Sequence, residues 1–207
     1  MERLNPETAE RLRALAASGP LVGTDEAGRG PLAGPVVAAA VFLTGPQEEE
    51  LLDLGLDDSK KMSPQLRERV FAAYAELGVV WRAQAAGIER IARDNILWAS
   101  LWAMGCSVRK LGLNPSCVVV DGTFPIPGLP FEQWPMKAAD RFVPSVAAAS
   151  VAAKVLRDRV MTALDALYPQ YGFARHKGYP TARHREALER CGPCRVHRSR
   201  RHPEGEH

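Results

Sequence analysis

Four carboxylates and one glycine-rich turn are the residues of this chain best suited to chemistry. Asp25 and Glu26 are adjacent, Asp121 ends the apolar run Cys117-Val118-Val119-Val120, and Asp140 lies just ahead of the small-residue stretch Ala147-Ala148-Ala149-Ser150. Acids forced together repel one another, and a cation is the natural remedy. Hard oxygen donors select Mg²⁺ or Mn²⁺, which take few protein ligands and keep several waters. No histidine or cysteine falls among the four, which argues against zinc there. Two such ions suit in-line displacement at phosphorus, one activating water and the other stabilising the leaving oxygen. Gly28-Arg29-Gly30 follows the first acid pair directly, and bare backbone beside a guanidinium lets an anion come close. Each residue has a blander reading taken alone: Asp121 as the turn aspartate of Asp-Gly, Asp140 as a helix cap or dipole partner. Taken together, the four favour a metal site.

Charge is unevenly placed. From 175 to 201 there are nine Lys or Arg against two Asp or Glu, +7, which leaves eighteen against twenty-two, −4, for the rest of a chain whose net charge is +3. An acidic body with a basic arm suits a metal site that must also hold a polyanion. Apolar residues at 46% and charged residues at 25% give one ordinary globular domain with ample core, and no run is long enough for a membrane span. Glu2, Glu7 and Glu10 among arginines leave no room for a secretory leader, and four cysteines in 207 residues fit reduced thiols, so a cytoplasmic protein is expected. Cys191-x-x-Cys194 with His197 and His202 invites a zinc reading, but these residues fall within twelve positions with no hairpin or helix between them to build a finger. A thioredoxin-like pair is disfavoured because no strand precedes it.

The elements that must position these residues follow from periodicity and caps. Asn5-Pro6 starts a helix to about 17. Strands are expected at 21–25, 36–43, 78–85 and 117–120, with a short fifth at 136–138, and a short helix or turn at 48–56. Ser63-Pro64 opens a helix to 77, a long helix covers 88–111, another covers 145–167, and Thr181 caps a last one to 190 after a loop from 175. Trp98 and Trp102, four apart on the long helix, are expected to pack inward. Strands followed by alternating strand and helix imply one α/β domain with a mixed sheet. Ligands of such sheets bind off the carboxyl ends of strands, so neighbouring strands one and four would deliver Asp25, Glu26 and Asp121 to one edge. Adjacent strand residues face opposite ways, so Asp25 and Glu26 are expected to share a site only if the strand ends or bulges between them.

The chain resembles bacterial ribonuclease HII. The matching pieces are Gly23-Thr-Asp-Glu-Ala-Gly-Arg-Gly-Pro-Leu-Ala-Gly-Pro35, Asp58-Ser-Lys-Lys-Met-Ser63, Val119-Val-Asp-Gly122, Ser145-Val-Ala-Ala-Ala-Ser-Val-Ala-Ala-Lys-Val-Leu-Arg-Asp158, Tyr171-Gly-Phe173 and His176-Lys-Gly-Tyr-Pro-Thr181, in order across about 21 to 198. The resemblance implies a ribonuclease H-like fold, a mixed sheet flanked by helices, as a single domain with a catalytic core at about 21–165 and a basic helical extension at about 166–207. It implies a metal-dependent endonuclease that cuts the RNA strand of RNA–DNA hybrids and cuts 5′ to single ribonucleotides in duplex DNA, leaving 3′-OH and 5′-phosphate. By motif position Asp25, Glu26, Asp121 and Asp140 are its metal-binding, catalytic acids, with two Mg²⁺ or Mn²⁺ ions during catalysis. Gly28, Arg29 and Gly30 would read the 2′-OH and the junction, and Tyr179 would pack on the neighbouring deoxyribose.

Lys60 is a candidate DNA contact, and His176 and Lys177 are candidate phosphate contacts beside Tyr179. Lys154 is placed to neutralise the site, while Arg157 and Asp158 look structural, free to pair along their helix. Two stretches depart from the family pattern. Lys137-Ala-Ala-Asp140 stands where Lys-x-Gly-Asp is usual, which bears on the position of Asp140, and Ser199-Arg-Arg201 replaces the usual Ser-Phe. The expected partners are RNA–DNA hybrids and ribonucleotide-containing duplexes, no membrane, and a monomeric chain; a sliding clamp is a partner the family allows, although no clamp-binding motif is found near the tail. Ribonuclease HIII shares the motifs but carries a sizeable N-terminal domain, and proofreading exonucleases space their first acids as Asp-x-Glu. The alternative of a different class is a non-catalytic hybrid-binding protein, which the acids disfavour because binding a polyanion does not call for them.

Overall fold

Everything is laid around β1 (Leu21–Ala27). The computed structural model describes residues 1–2 and 4–198. β2 (Val36–Phe42) pairs antiparallel with β1, and β3 (Val80–Ala86) pairs antiparallel with β2. β4 (Cys117–Asp121) lies parallel on the other side of β1, and β5 (Gln133–Met136) parallel beyond it, giving the order β3-β2-β1-β4-β5. This is the mixed sheet expected, with one correction at its edge. The fifth strand begins three residues early because Gln133 closes the preceding loop, its amide taking the N–H and giving a hydrogen to the carbonyl of Ile126 at 2.6 and 3.0 Å. Pro135 is tolerated there because the strand is an edge.

Helices cover both faces. α1 (Pro6–Ser18) is capped by Asn5, whose Oδ1 accepts from the Thr8 amide. α2 (Gly45–Asp53) starts earlier than the 48–56 expected, because Gln47 reaches back to the Thr44 N–H and fixes Thr44 as its cap. α3 (Pro64–Glu76) starts at Ser63, as its Ser-Pro signal dictates. α4 (Ile88–Lys110) is broken at Asn95 (φ 61°, ψ 171°), whose Oδ1 recaps the second half through the amides of Leu97 and Trp98. The break resets the helical phase, and this corrects the inward packing expected of Trp98, which is 49% exposed; Trp102 packs against the core on the α4 face as expected, half-buried beneath the Arg90 guanidinium.

α5 (Pro144–Leu167) lies across the opposite face from α4. Its small residues bring it so close that a Cβ on Gly23 would stand 2.3 Å from the Ser145 carbonyl carbon and the Val146 nitrogen. α6 (Phe173–His176), a short helix where part of a loop was expected, and α7 (Ala182–Cys191) dock on the far half of α5 through Met161, Tyr171 and Phe173. α7 carries the predicted cap, Thr181 Oγ1 accepting from the His184 amide. Among the described residues no helix is long and apolar enough to cross a membrane.

The strand–helix approach gives a direct test. Gly23→Ala forces a methyl into backbone that cannot yield, and should destabilise the chain by about 3 kcal/mol. Urea melts of the two proteins measure it, and an unchanged midpoint would show that α5 is not seated this closely.

Candidate active site

β1 outruns its parallel neighbour. Pairing with β4 stops at Thr24 opposite Val120, while pairing with β2 continues through Ala27 opposite Val37. Asp25 and Glu26 therefore sit inside a regular strand, opposite Ala39 and Ala38, with neither the end nor the bulge expected between them. Their side chains go to opposite faces, Asp25 with Ala39 toward α5 and Glu26 with Ala38 toward α4. The two faces meet at Asp121. It ends β4 in register with Asp25, and it also lines, with Glu26, Arg29, Gly122 and Lys137, a cleft of about 160 Å³.

Asp140 enters from the turn after β5. A 3₁₀ turn, Ala139–Arg141, places it there, and the Ala139 amide donates to Asp121 Oδ1 at 2.8 Å. Ala139, where the family usually has glycine, needs no special backbone; the left-handed residue is its neighbour Ala138, at φ 56°. Asp140 is 2% exposed and its Oδ2 has no hydrogen-bond partner, only the Lys60 ammonium at 3.9 Å.

The acids hold their protons tightly. Burial pushes Asp25 well up, and the charges of Glu26 and Asp121 push it further. Burial moves Glu26 to about 7 against the pull of Arg29, whose guanidinium is 3.7 Å away. Asp121 is raised by burial against the Ala139 amide, and Asp140 is raised to about 6 by burial and by the charges of Asp121 and Asp58. Lys60 is pushed up: burial opposes this, but Asp140, Asp25, Asp58 and Asp121 outweigh it. Among the described residues no three His, Cys, Asp or Glu side chains close around a single point. The acids are thus an open set of oxygen donors with one orphaned buried oxygen, and this fits a hard cation that completes its shell with water and substrate oxygens.

Arg29 and Gly30 belong to a turn cast around a guanidinium from the far end of the chain. Arg198 donates to the carbonyls of Gly28 (2.6 Å), Arg29 (2.9 Å), Pro31 (2.9 Å) and Gly34 (2.8 and 3.0 Å). Arg157, whose Nε would lie 2.0 Å from a Cβ on Gly28 (φ 104°), donates to Pro35, Ala33 and Lys177. A trans peptide points its N–H opposite its C=O. With the carbonyls of Gly28 and Arg29 turned in, the amides of Arg29 and Gly30 face out, and among the described residues neither donates back to the protein. A Cβ on Gly30 would meet only the Tyr179 ring, at 3.7 Å, so nothing inside the protein requires glycine there.

Other predicted residues fall less neatly. Lys60 stands over the acids. His176 is engaged internally: its Nε2 donates to the Tyr171 carbonyl and its Nδ1 accepts from the Gly178 amide. Lys177 turns to α5, with Nζ 2.9 Å from the Thr162 hydroxyl. Lys154 pairs with Asp158 at 2.7 Å instead of neutralising the acids. Arg157 is structural, but through loop carbonyls and not along its helix. Ser199-Arg-Arg201 and His202 lie outside the described residues. Two participants were missed. Asp58 is buried beside Asp140 because Ser59 docks on Ser150 (2.8 Å), and its only sequence signal was membership of the Asp-Ser-Lys block. Arg198 was visible only as one more cation of the basic 175–201 arm.

A family model described as Ribonuclease HII matches residues 22–202. The Ribonuclease HII of Pelotomaculum thermopropionicum is 48% identical over 200 residues, which is 92% of this chain and 74% of that one. Among solved structures, the ribonuclease H2 from Pyrococcus horikoshii superposes with a TM-score of 0.70 at 29% identity, covering 83% of this chain and 86% of that one. The PCNA:RNase HII complex from Archaeoglobus fulgidus gives 0.74 at 27% identity, covering 87% and 92%.

Raised carboxylates make stability depend on pH with a definite sign. Glu26 goes from 4.5 to about 7 and Asp140 from 3.8 to about 6, so the folded chain binds these protons more tightly than the unfolded one. Their contribution is full below about pH 4 and is lost progressively as pH rises to about 6 for Asp140 and about 7 for Glu26, roughly 3 kcal/mol for Glu26 alone. Melts in EDTA should therefore fall between pH 5 and pH 8. Mg²⁺ should restore stability at pH 8 and do little at pH 5, and Glu26→Gln should flatten the metal-free profile. A Mg²⁺-insensitive melt at pH 8 would count against these acids as the metal site.

Proposed function

Because the chain belongs to the ribonuclease HII family, we propose that Asp25, Glu26, Asp121 and Asp140 are its catalytic carboxylates and that the 28–30 turn with Tyr179 reads the ribose beside the scissile bond. The family consists of metal-dependent hydrolases that cleave RNA in RNA–DNA hybrids, and the sheet and its helices are the ribonuclease H-like fold. The observation that carries the assignment of residues is the cleft in which Glu26, Arg29 and Asp121 face one another, so that acids and anion-binding turn border one space.

Mg²⁺ or Mn²⁺ held by the four carboxylates would supply activated water and charge neutralisation at the leaving oxygen. The chain's own residues do the rest. Asp121 is oriented by the Ala139 amide, and Asp25 Oδ1 accepts from the Glu26 amide at 2.6 Å, so both present their carboxylates at fixed angles. Lys60, mostly exposed above the acids, is placed to meet a phosphate as it arrives. The outward amides of Arg29 and Gly30 bind the sugar–phosphate backbone at the junction. Tyr179, 40% exposed beside Gly30, supplies an aromatic face for the adjoining sugar and a hydroxyl for the 2′-OH, the group that separates RNA from DNA. Cleavage would fall 5′ to a lone ribonucleotide, leaving 3′-OH and 5′-phosphate. A sliding clamp of the kind bound by the Archaeoglobus relative is a proposed partner, carried by that relative alone.

The test uses a labelled DNA duplex with one ribonucleotide, in Mg²⁺ or Mn²⁺. A single cut 5′ to the ribonucleotide is expected, with no cut in all-DNA duplex, and Asp121→Asn should lower the rate by on the order of 10²–10³-fold. Gly30→Ala should melt like the parent, since its methyl has room, yet lose about tenfold or more in kcat/KM. Full activity of Gly30→Ala would remove the turn from the substrate contact.

A further inference from the structure

The segment at 194–198 is laid along the turn. The Gly34 amide donates to the Val196 carbonyl at 2.9 Å, and the Arg198 amide donates to the Leu32 carbonyl at 2.8 Å. Beneath it runs a chain of histidines that the chemistry above does not use. His184 is fully buried, with Nδ1 2.9 Å from the Tyr179 carbonyl and Nε2 3.0 Å from Nε2 of His197. His197 Nδ1 is 2.9 Å from the Cys194 amide nitrogen.

The atom types settle where the protons are. A carbonyl only accepts, so His184 Nδ1 carries a hydrogen; an amide only donates, so His197 Nδ1 is bare. With both rings neutral, His184 Nε2 is bare and His197 Nε2–H fills it. The donors then run one way without a gap, from the Cys194 amide to His197, from His197 to His184, and from His184 to the Tyr179 carbonyl. His176 obeys the same rule and stacks flat on His184 at 4.4 Å. The Tyr179 amide in turn donates to the His176 carbonyl at 2.9 Å. Tyr179 is thus held at both ends of its backbone while its ring edge stands beside Gly30.

We propose that His184 and His197 are a positioning pair for Tyr179, fixing its ring against the 28–30 turn and thereby setting how well the enzyme engages a ribonucleotide. The proposal rests on the ribose-reading role assigned to Tyr179 above. The groups facing the pair are the rings of Phe173, Tyr171 and His176 and the Cys194 thiol, none of them a carboxylate, with the Arg198 guanidinium following in the chain. A proton on either ring would set N–H against N–H and open the link. Burial, with neighbouring histidines, holds both below the usual histidine range and keeps the pair neutral.

A double-mutant cycle tests this on the single-ribonucleotide duplex. His184→Ala should lower kcat/KM about tenfold in the parent but less than about twofold in Tyr179→Ala, because both changes remove the same support. His184→Asn, whose amide N–H can reach the Tyr179 carbonyl, should recover most of the loss, and this holds even if the alanine variant folds poorly. Equal losses in both backgrounds, or an asparagine variant no better than alanine, would overturn the proposal alone. Full activity of Tyr179→Ala would remove the ribose-reading role and the proposal with it.

Discussion

A buried guanidinium offers five N–H donors and accepts nothing, and leaving those donors unmet in the interior costs several kcal/mol. Arg157 is buried and Arg198 half-buried under one turn, and carbonyls of the 28–35 stretch answer both. That constraint shapes the substrate side of the molecule. Once the carbonyls must face inward, planar peptides must present amides outward, and the turn offers the kind of donors an anion takes, as the proposed reading requires. The cleft that this turn borders through Arg29 is bordered on its other side by Glu26 and Asp121, so carboxylates and a cationic turn share one space.

The acid side is a conflict that the sheet imposes and does not resolve by itself. Burial and mutual repulsion leave Asp25, Glu26, Asp121 and Asp140 reluctant to ionise, and Asp140 keeps an oxygen with no protein donor. In the metal-free chain this works against stability at neutral pH. Such a cost is common where a site is shaped for a ligand and not for the fold. Lys60 relieves part of it, but from an exposed position where solvent screens the pair.

Much of this was legible in the residues. Asp25, Glu26 and Asp121 were readable because a strand's apolar run stops abruptly at a charge, a local pattern. The small-residue helix at 145–167 was readable from its composition; that its start would press on Gly23 of β1 was not. Part of what escaped depended on partners distant in the chain, and part on local side-chain contacts that no pattern announces. Arg198 lies about 170 residues from the carbonyls it organises. Asp58 is drawn inward only because Ser59 meets Ser150 across 91 positions. His176 has basic sequence neighbours, and nothing in them announces that its ring is engaged by two backbone groups. Trp98 was misplaced by Asn95, which ends one helical phase and begins another without any glycine or proline to announce it.

The adjacency of Asp25 and Glu26 shows how a geometric objection can be sound and still fail. Strand residues do alternate, and β1 neither ends nor bulges between them, so the two carboxylates stand on opposite faces. What unites them is the length of the neighbour. β4 stops at Asp121, one residue past its last pairing with β1, and beyond that point no strand separates the faces on that side. Asp121 can then look to Asp25 on the α5 face and to the cleft that holds Glu26 on the α4 face. A longer β4 would wall the acids apart, and a shorter one would leave Asp121 without the Ala139 amide that orients it. The site therefore exists because two parallel strands are unequal in length, a property that neither strand's sequence contains alone.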